Sequence, residues 1–352
     1  MVALVRSAAL THFTELARDC GLDSRRLVVE SGLPARCLSD PDLKVPADRV
    51  GRLLEQAAAL GREPAFGLRL AESRRLSNLG PLALLVRDQP SLRLALETLM
   101  HHIHVHNEAV AVSVEPAGAH LVVRTELMSE DGHALRQATE LVVGATCRVL
   151  RVLLGSGWQP SLVCFGHPRP ASLAVHRRVL AAPLAFDHAF NGIVCRAADL
   201  EAPNPGADPV MARYSQRLLA PDLARQARLT DRTRQLIVLL MPRGLCRIDV
   251  VAQHLGVDRR TVHRHLQAEG SSFSALLDAE RRALARRYVE ASPRALTDVA
   301  ALLGFSSLSA FSRWHTLAFG ASAQRRRADA AAARNRREVA WARTGSKRSA
   351  MA

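Results

Sequence analysis

Residues 248–269 read Ile248-Asp249-Val250-Val251-Ala252-Gln253-His254-Leu255-Gly256-Val257-Asp258-Arg259-Arg260-Thr261-Val262-His263-Arg264-His265-Leu266-Gln267-Ala268-Glu269. The spacing has a mechanical cause. Ala252 is small where two helices cross closely, and Gly256, four residues on, supplies the positive φ of a tight turn. Asp258 is placed to cap the helix that follows. Val262 and Leu266, four apart, face a core. Arg260, His263, Arg264 and Gln267 then share the opposite face, with Arg259 at its start. Two helices joined this way make a helix-turn-helix, and the polar face of its second helix is the one presented to a DNA major groove.

The device recurs about 48 residues later. Ala300 is followed by Gly304 at the same interval, and Ser306 and Ser307 offer caps. Ala310 and Phe311 are expected in the core, which leaves Leu308, Ser309, Ser312 and Arg313 for the outer face. The two units are therefore expected over about 248–269 and 296–319. Between them Phe273 to Val289 predicts an amphipathic linker helix. At 1.5 Å per residue it spans about 26 Å. With the widths of its neighbours, that sets the two recognition helices about 34 Å apart, one turn of B-DNA. Arg281, Arg282, Arg286 and Arg287 on this helix are expected to pair along it with Asp278, Glu280 and Glu290. Any αα-hairpin can show one such unit; two copies, each with a capped and polar-faced second helix, are specific.

Charge points the same way. The formal net charge is +15, and it is not spread evenly. Residues 226–352 hold 23 Lys+Arg against 10 Asp+Glu, whereas residues 1–225 hold 25 against 23. A basic block of this kind suits a polyanion such as nucleic acid. Lys44 and Lys347 are the only lysines, so the positive charge is carried by guanidinium groups. Residues 329–352 read as a basic, solvated tail. Apolar residues make up 48%, which excludes wholesale disorder. No apolar run approaches the ~18–20 residues of a membrane span. The first ten residues are interrupted by Arg6 and lack a signal-peptide stretch, so a cytoplasmic location and no membrane partner are expected. The six cysteines are scattered with no C-x-x-C pair. That spacing supports neither a zinc site nor a disulfide framework; no metal and no other cofactor is expected.

The N-terminal part reads as mixed α and β. Helices are predicted over Ala8–Cys20, Ala47–Leu60, Leu92–His102 and Leu135–Leu154, with a loop over Pro41–Pro46. Ala109–Val114 and Leu121–Leu127 predict a hairpin about the turn Glu115-Pro116-Ala117-Gly118. Leu162–Phe165 and Gly192–Cys195 are further strand candidates. Glu201-Ala202-Pro203-Asn204-Pro205-Gly206-Ala207-Asp208-Pro209 breaks the chain, and a boundary is expected near 225–232. The expected organisation is a sensing or dimerisation domain over 1–225, a DNA-binding domain over 230–328 and the tail over 329–352. His102, His104 and His106 would share one face of a strand; on a helix only His102 and His106 would. They are candidates for pocket lining or effector contact, with metal binding as a lesser reading because only Glu108 is fixed nearby. Arg136, Gln137 and Glu140 share a helix face, for packing or for a polar effector.

Residues 248–313 resemble the DNA-binding domain of AraC/XylS-type transcriptional regulators. The segments that carry this are Leu255-Gly256-Val257, Glu269-Gly270-Ser271-Ser272-Phe273, Val299 to Phe305 and Ser309 to Arg313. Phe66 to Glu72, Asp42 to Pro46, Arg136 to Leu141 and Phe165 to Pro170 resemble one subgroup of that family. Its members carry an arabinose-binding-like sensing domain, ornithine-utilisation regulators among them. The likeness covers roughly residues 10–327 and departs after Arg313. The family's closing Gly-x-Ser-Pro-x-x-aromatic-Arg stands here as Gly320-Ala321-Ser322-Ala323-Gln324-Arg325-Arg326-Arg327. Proline and aromatic are absent, and Arg325 to Arg327 are the available substitutes near phosphates. The resemblance implies an α+β sensing domain followed by an all-α domain with two helix-turn-helix motifs. It also implies double-stranded DNA as partner, a small-molecule effector, RNA polymerase if the regulator is an activator, and a possible homodimer. The sequence holds no G-x-G-x-x-G, Walker loop, G-x-S-x-G or H-E-x-x-H, so no enzyme activity is expected. The alternatives are a metal-dependent or hydrolytic N-terminal domain fused to a DNA reader, and an architectural DNA-binding protein without a ligand.

Overall fold

The computed structural model describes residues 3–129, 135–226, 229–290 and 294–332. In the N-terminal part, β1 (Leu4–Arg6) precedes a 3-10 turn and the helices α1 (Phe13–Asp19) and α2 (Ser24–Glu30). Then come β2 (Lys44–Pro46), α3 (Ala47–Leu60), α4 (Phe66–Glu72), α5 (Pro81–Arg87) and α6 (Leu92–His106). A hairpin, β3 (Val110–Ala117) and β4 (His120–Leu127), leads to α7 (Arg136–Leu154). β5 (Leu162–Cys164), α8 (Ala174–Leu180), β6 (Leu184–Ala185), β7 (Gly192–Arg196) and α9 (Pro209–Gln226) complete this half.

One sheet has the order β3-β4-β7-β5-β6; only β5 and β6 run parallel. Its hydrophobic face and the helices share a core that runs from Val5 to Cys195. Phe13, Phe66 and Phe165 are fully buried there. Each such ring contributes about 1.5–3 kcal/mol by leaving water, against roughly 0–1 for an exposed ion pair. Packing, not surface charge, holds this half together.

The structure alters several sequence expectations. The helix expected over Ala8–Cys20 is broken at Thr11 and His12, where His12 has φ +62, so a 3-10 turn and α1 replace it. The loop over Pro41–Pro46 ends in β2, which pairs antiparallel with β1 (Val5 opposite Val45). Three-residue strands are too short to show a period of two. The helix from Leu92 runs to His106 rather than stopping at His102, with Ser91 as its cap. β3 continues through Pro116, and the turn is Gly118-Ala119. Proline is tolerated there because β3 is an edge strand, where a missing N–H breaks no ladder on the open side.

The C-terminal half has no strand among its described residues. It comprises α10 (Leu229–Leu240), α11 (Ile248–Leu255), α12 (Arg259–Ala268), α13 (Phe273–Glu290), α14 (Leu296–Leu302) and α15 (Leu308–Phe319), then a further helical stretch over 323–332. Its separate core includes Ile237, Val251, Val262, Leu266, Val299 and Phe311. α10 packs on α13 and also lies along β3, where Gln235 Nε2 donates to the Val110 carbonyl at 2.9 Å. A helix thus covers the open sheet edge, as edge strands require.

Candidate nucleic-acid interface

In the first unit, Val251, Ala252 and Leu255 bury one face of α11. Gly256 ends the helix at φ +69, and the Val257 N–H returns to the Ala252 carbonyl at 3.1 Å. That conformation is cheap for glycine and strained for other residues. Asp258 Oδ1 accepts from the Thr261 N–H at 2.7 Å, and its Oδ2 from the Thr261 hydroxyl at 2.9 Å. These bonds hold the Asp258 carboxyl below its usual range. With the helix start fixed, Val262 and Leu266 are fully buried. Arg259, Arg260, Arg264 and Gln267 are exposed and His263 is half-buried. Arg259 lies 3.8 Å from Asp249, a loose pairing at the surface. Among the described residues, Arg260 and Arg264 have no ion-pair partner. Two uncommitted guanidinium groups therefore stand one helical turn apart on a rigid helix.

The second unit repeats the frame. Gly304 has φ +70, the Phe305 N–H returns to the Ala300 carbonyl at 2.9 Å, and Ser307 Oγ accepts from the Ala310 N–H at 3.2 Å. Leu308, Ser309, Ser312 and Arg313 are exposed, with Thr316 and Leu317 beside them. The core side differs from expectation. Phe311 is buried, but Ala310 is only half-buried and His315 takes the second core place. His315 bonds the Ala321 carbonyl through Nδ1 at 3.0 Å; its burial pulls its pKa down. Phe305, Phe311, Trp314, His315 and Phe319 form one aromatic cluster.

Trp314 also ties α15 to the linker helix, donating from Nε1 to Asp278 at 3.0 Å, while Arg282 donates to the same carboxyl at 2.6 Å. Burial would raise that carboxyl; these two bonds outweigh it and hold it low. Arg282 thus pairs along the helix with Asp278 as expected, while other charges of the linker helix reach across the packing. Arg281 donates to the Leu303 carbonyl and stacks over Phe305. Glu280 pairs with Arg234 at 2.7 Å and Glu290 with Arg326. The faces of α13 are occupied by neighbouring helices, so those charges find partners across the packing rather than four residues along. Sequence spacing carries no signal for such partners.

The closing stretch docks despite its missing proline and aromatic. Ala323 enters the core, Arg326 lies over Phe319, and Arg327 donates to the Val289 carbonyl at 3.1 Å. Two of the three arginines available for phosphates are thus used in packing; Arg325 stays exposed.

The N-terminal candidates are not gathered into one site. His102 and His106 lie on α6 one turn apart, and the strand arrangement with His104 does not occur. His104 is buried with no partner on either ring nitrogen among the described residues, and desolvation pushes its pKa down to about 3. His106 bonds Arg6 at 3.4 Å. Arg136 donates to Glu140 at 2.9 Å and to the Pro64 carbonyl at 2.8 Å, and His176 meets the same Glu140 at 3.1 Å. No group of three or more potential metal ligands occurs among the described residues, and none of their helices is long and apolar enough to cross a membrane.

The two halves also touch through the linker helix. Arg287 donates to the Leu127 carbonyl at 3.2 Å and lies 3.9 Å from Glu126. Arg294 donates to the His188 carbonyl. Burial raises the Glu126 carboxyl, against the pull of Arg287, Arg124 and Arg294.

Comparison with known proteins identifies the family. Residues 21–204 match the family model of the arabinose-binding domain of AraC transcription regulators, an N-terminal domain, and residues 251–329 match a helix-turn-helix domain. The chain is 30% identical over 329 residues to the HTH-type transcriptional regulator VirS of Mycobacterium tuberculosis, covering 93% of this chain and 97% of that protein. It is 25% identical over 314 residues to the ornithine utilization regulator of Pseudomonas aeruginosa, covering 88% and 92%. Among solved structures it matches the transcriptional regulator CdpR of Pseudomonas aeruginosa, at 21% identity and a TM-score of 0.43 over 86% of this chain and 96% of that one. The chain belongs to the AraC family of transcriptional regulators, with an arabinose-binding-like sensing domain ahead of its DNA-binding helices.

Proposed function

We propose that this regulator reads base sequence mainly through α12, by Arg260, His263, Arg264 and Gln267 with Arg259 near a phosphate. In this reading α15 adds a weaker second contact through Ser309, Ser312 and Arg313. The observation that carries it is the pair of exposed guanidinium groups, Arg260 and Arg264, uncommitted among the described residues. A guanidinium fork on the groove face is the side chain best matched to guanine O6 and N7. Residues 1–225 sense a small-molecule effector, which biases the arrangement of the DNA-binding helices. Two further partners belong to the reading: a second copy of the chain, and RNA polymerase where the protein acts as an activator. The protein works in the cytoplasm, where its operators are.

Footprinting the full chain on an operator found by genome-wide mapping tests the DNA contacts. The expected result is two protected major-groove segments about 10 base pairs apart, the one under α15 more tolerant of substitution. Affinity should also fall steeply with salt as phosphate counterions are released. One protected segment, or a salt slope near zero, would overturn the reading.

A further inference from the structure

The N-terminal half contains a cavity of about 120 Å³ between α3, α7 and the turns around Ala8 and Leu76. Val50, Leu54, Leu141 and Val142 give it apolar walls. Its size approaches the ~150 Å³ of a dry apolar cavity that takes benzene, so its occupant is about one ring in size.

Beside the neutral Asn78, His106 and Asn107, the charged groups described at this cavity are of one sign. Arg74, Arg75 and Arg148 line it, and among the described residues no Asp or Glu does. Arg74 is buried, and its guanidinium is held by backbone oxygens only: the Ala8 carbonyl at 2.6 Å and the Ala9 carbonyl. Among the described residues no charged partner offsets its burial, which pulls its pKa down to about 10. Arg148 is half-buried and donates through Nε to the Arg74 carbonyl at 2.7 Å; its Nη groups have no partner among the described residues. Arg75 is exposed beside them. A buried cation without an anion is costly, and charge-assisted bidentate bonds to a carboxylate would offset that cost.

We infer that this cavity is the effector site and that its ligand is a small carboxylate with a ring-sized apolar body, the carboxylate on Arg148 beside Arg74 and the ring between α3 and α7. This rests on the sensing role proposed above and names the class of molecule sensed. Arg136, His102 and His104 lie outside this cavity; of the sequence candidates, only His106 lines it.

Titration calorimetry and thermal shift on the full chain test the inference, with benzoate, its neutral isostere benzamide, and acetate as probes. Benzoate should bind, benzamide at least about tenfold more weakly, and acetate not at all, because it lacks the body that fills the cavity. Arg148→Gln should erase the preference for benzoate over benzamide. Ala145→Leu, which fills the cavity from α7, should abolish binding of both. Operator binding is measured on the same samples. Benzamide binding as well as benzoate, or benzoate binding unchanged by Ala145→Leu, overturns the inference. So does absence of benzoate binding at low-millimolar concentration. If operator binding persists in those cases, the DNA-reading proposal stands and only the ligand assignment falls. Neutral ligands that bind and are blocked by Ala145→Leu would leave the sensing role intact and remove the charge requirement.

Discussion

In the first helix-turn-helix, α12 turns Arg260, Arg264 and Gln267 to solvent; in the second, α15 turns out Leu308, Ser309, Ser312 and Arg313. The frames beneath are alike, each with a glycine at φ near +70 and a side-chain cap on the second helix. The anchors are not. α12 sits on two aliphatic side chains, Val262 and Leu266, whereas α15 sits on an aromatic cluster and is bonded to the linker helix through Trp314 and Asp278. The difference teaches that a shared scaffold sets where a recognition helix lies, while the residues left on its face decide what it can read. The first unit is rich in hydrogen-bonding forks and lightly tethered. The second has one fork, Arg313, and is firmly held.

The largest effect should come from the exposed face of α12. Arg264→Ala is expected to weaken operator binding by about 1–3 kcal/mol and relax selection at one base position. Ser312→Ala on α15 should cost less than half as much. Binding to an operator series measures both. Equal losses at the two positions would break the comparison, and an Arg264→Ala loss that is the same on random DNA would mark a phosphate contact.

A second effect separates the two turns. Gly256→Ala meets open space and carries only the strain of positive φ, about 1–2 kcal/mol. At Gly304 an added Cβ would also stand 3.1 Å from the Met241 carbonyl. Gly304→Ala should therefore destabilise the C-terminal helices more than Gly256→Ala in urea unfolding. Identical midpoints would show that the Met241 contact yields at no cost. The smallest effect sharpens the tether. Trp314→Phe keeps most of the ring and loses the bond to Asp278, for about 1 kcal/mol of stability, and should loosen the footprint under α15 only. An unchanged footprint with lowered stability would confine Trp314 to packing.

The helix-turn-helix pair was legible because local rules settle it. Gly256 and Asp258 act within five residues of each other, and Val262 and Leu266 face inward by helical period alone. The N-terminal half was legible by element where runs were long, as for Ala47–Leu60, and illegible where pairing over distance decides. β1 and β2 become strands only because Val5 meets Val45, 40 positions away. The same holds for side-chain partners. Glu280 and Glu290 look like intrahelical partners from spacing, yet they bond Arg234 and Arg326 on other helices. The cavity was hidden for a further reason: Arg74 and Arg148 are 74 positions apart, and no periodicity marks a charge that lacks a partner.

Leu127 stands at the end of β4, lines the cavity and accepts a hydrogen bond from Arg287 of the linker helix through its carbonyl. Leu135 likewise borders both the cavity and the cleft beneath Tyr288. Under the sensing role proposed above, the cavity and the operator site belong to one thermodynamic cycle, and such a cycle runs both ways. Whatever factor a ligand applies to operator affinity, the operator applies to ligand affinity, in the range of roughly 5–150-fold for couplings of about 1–3 kcal/mol. On that proposal, DNA is itself an effector of the sensing domain. Copies resting on an operator and copies free in solution would answer to different ligand concentrations, and the response threshold would shift with the number of operators occupied.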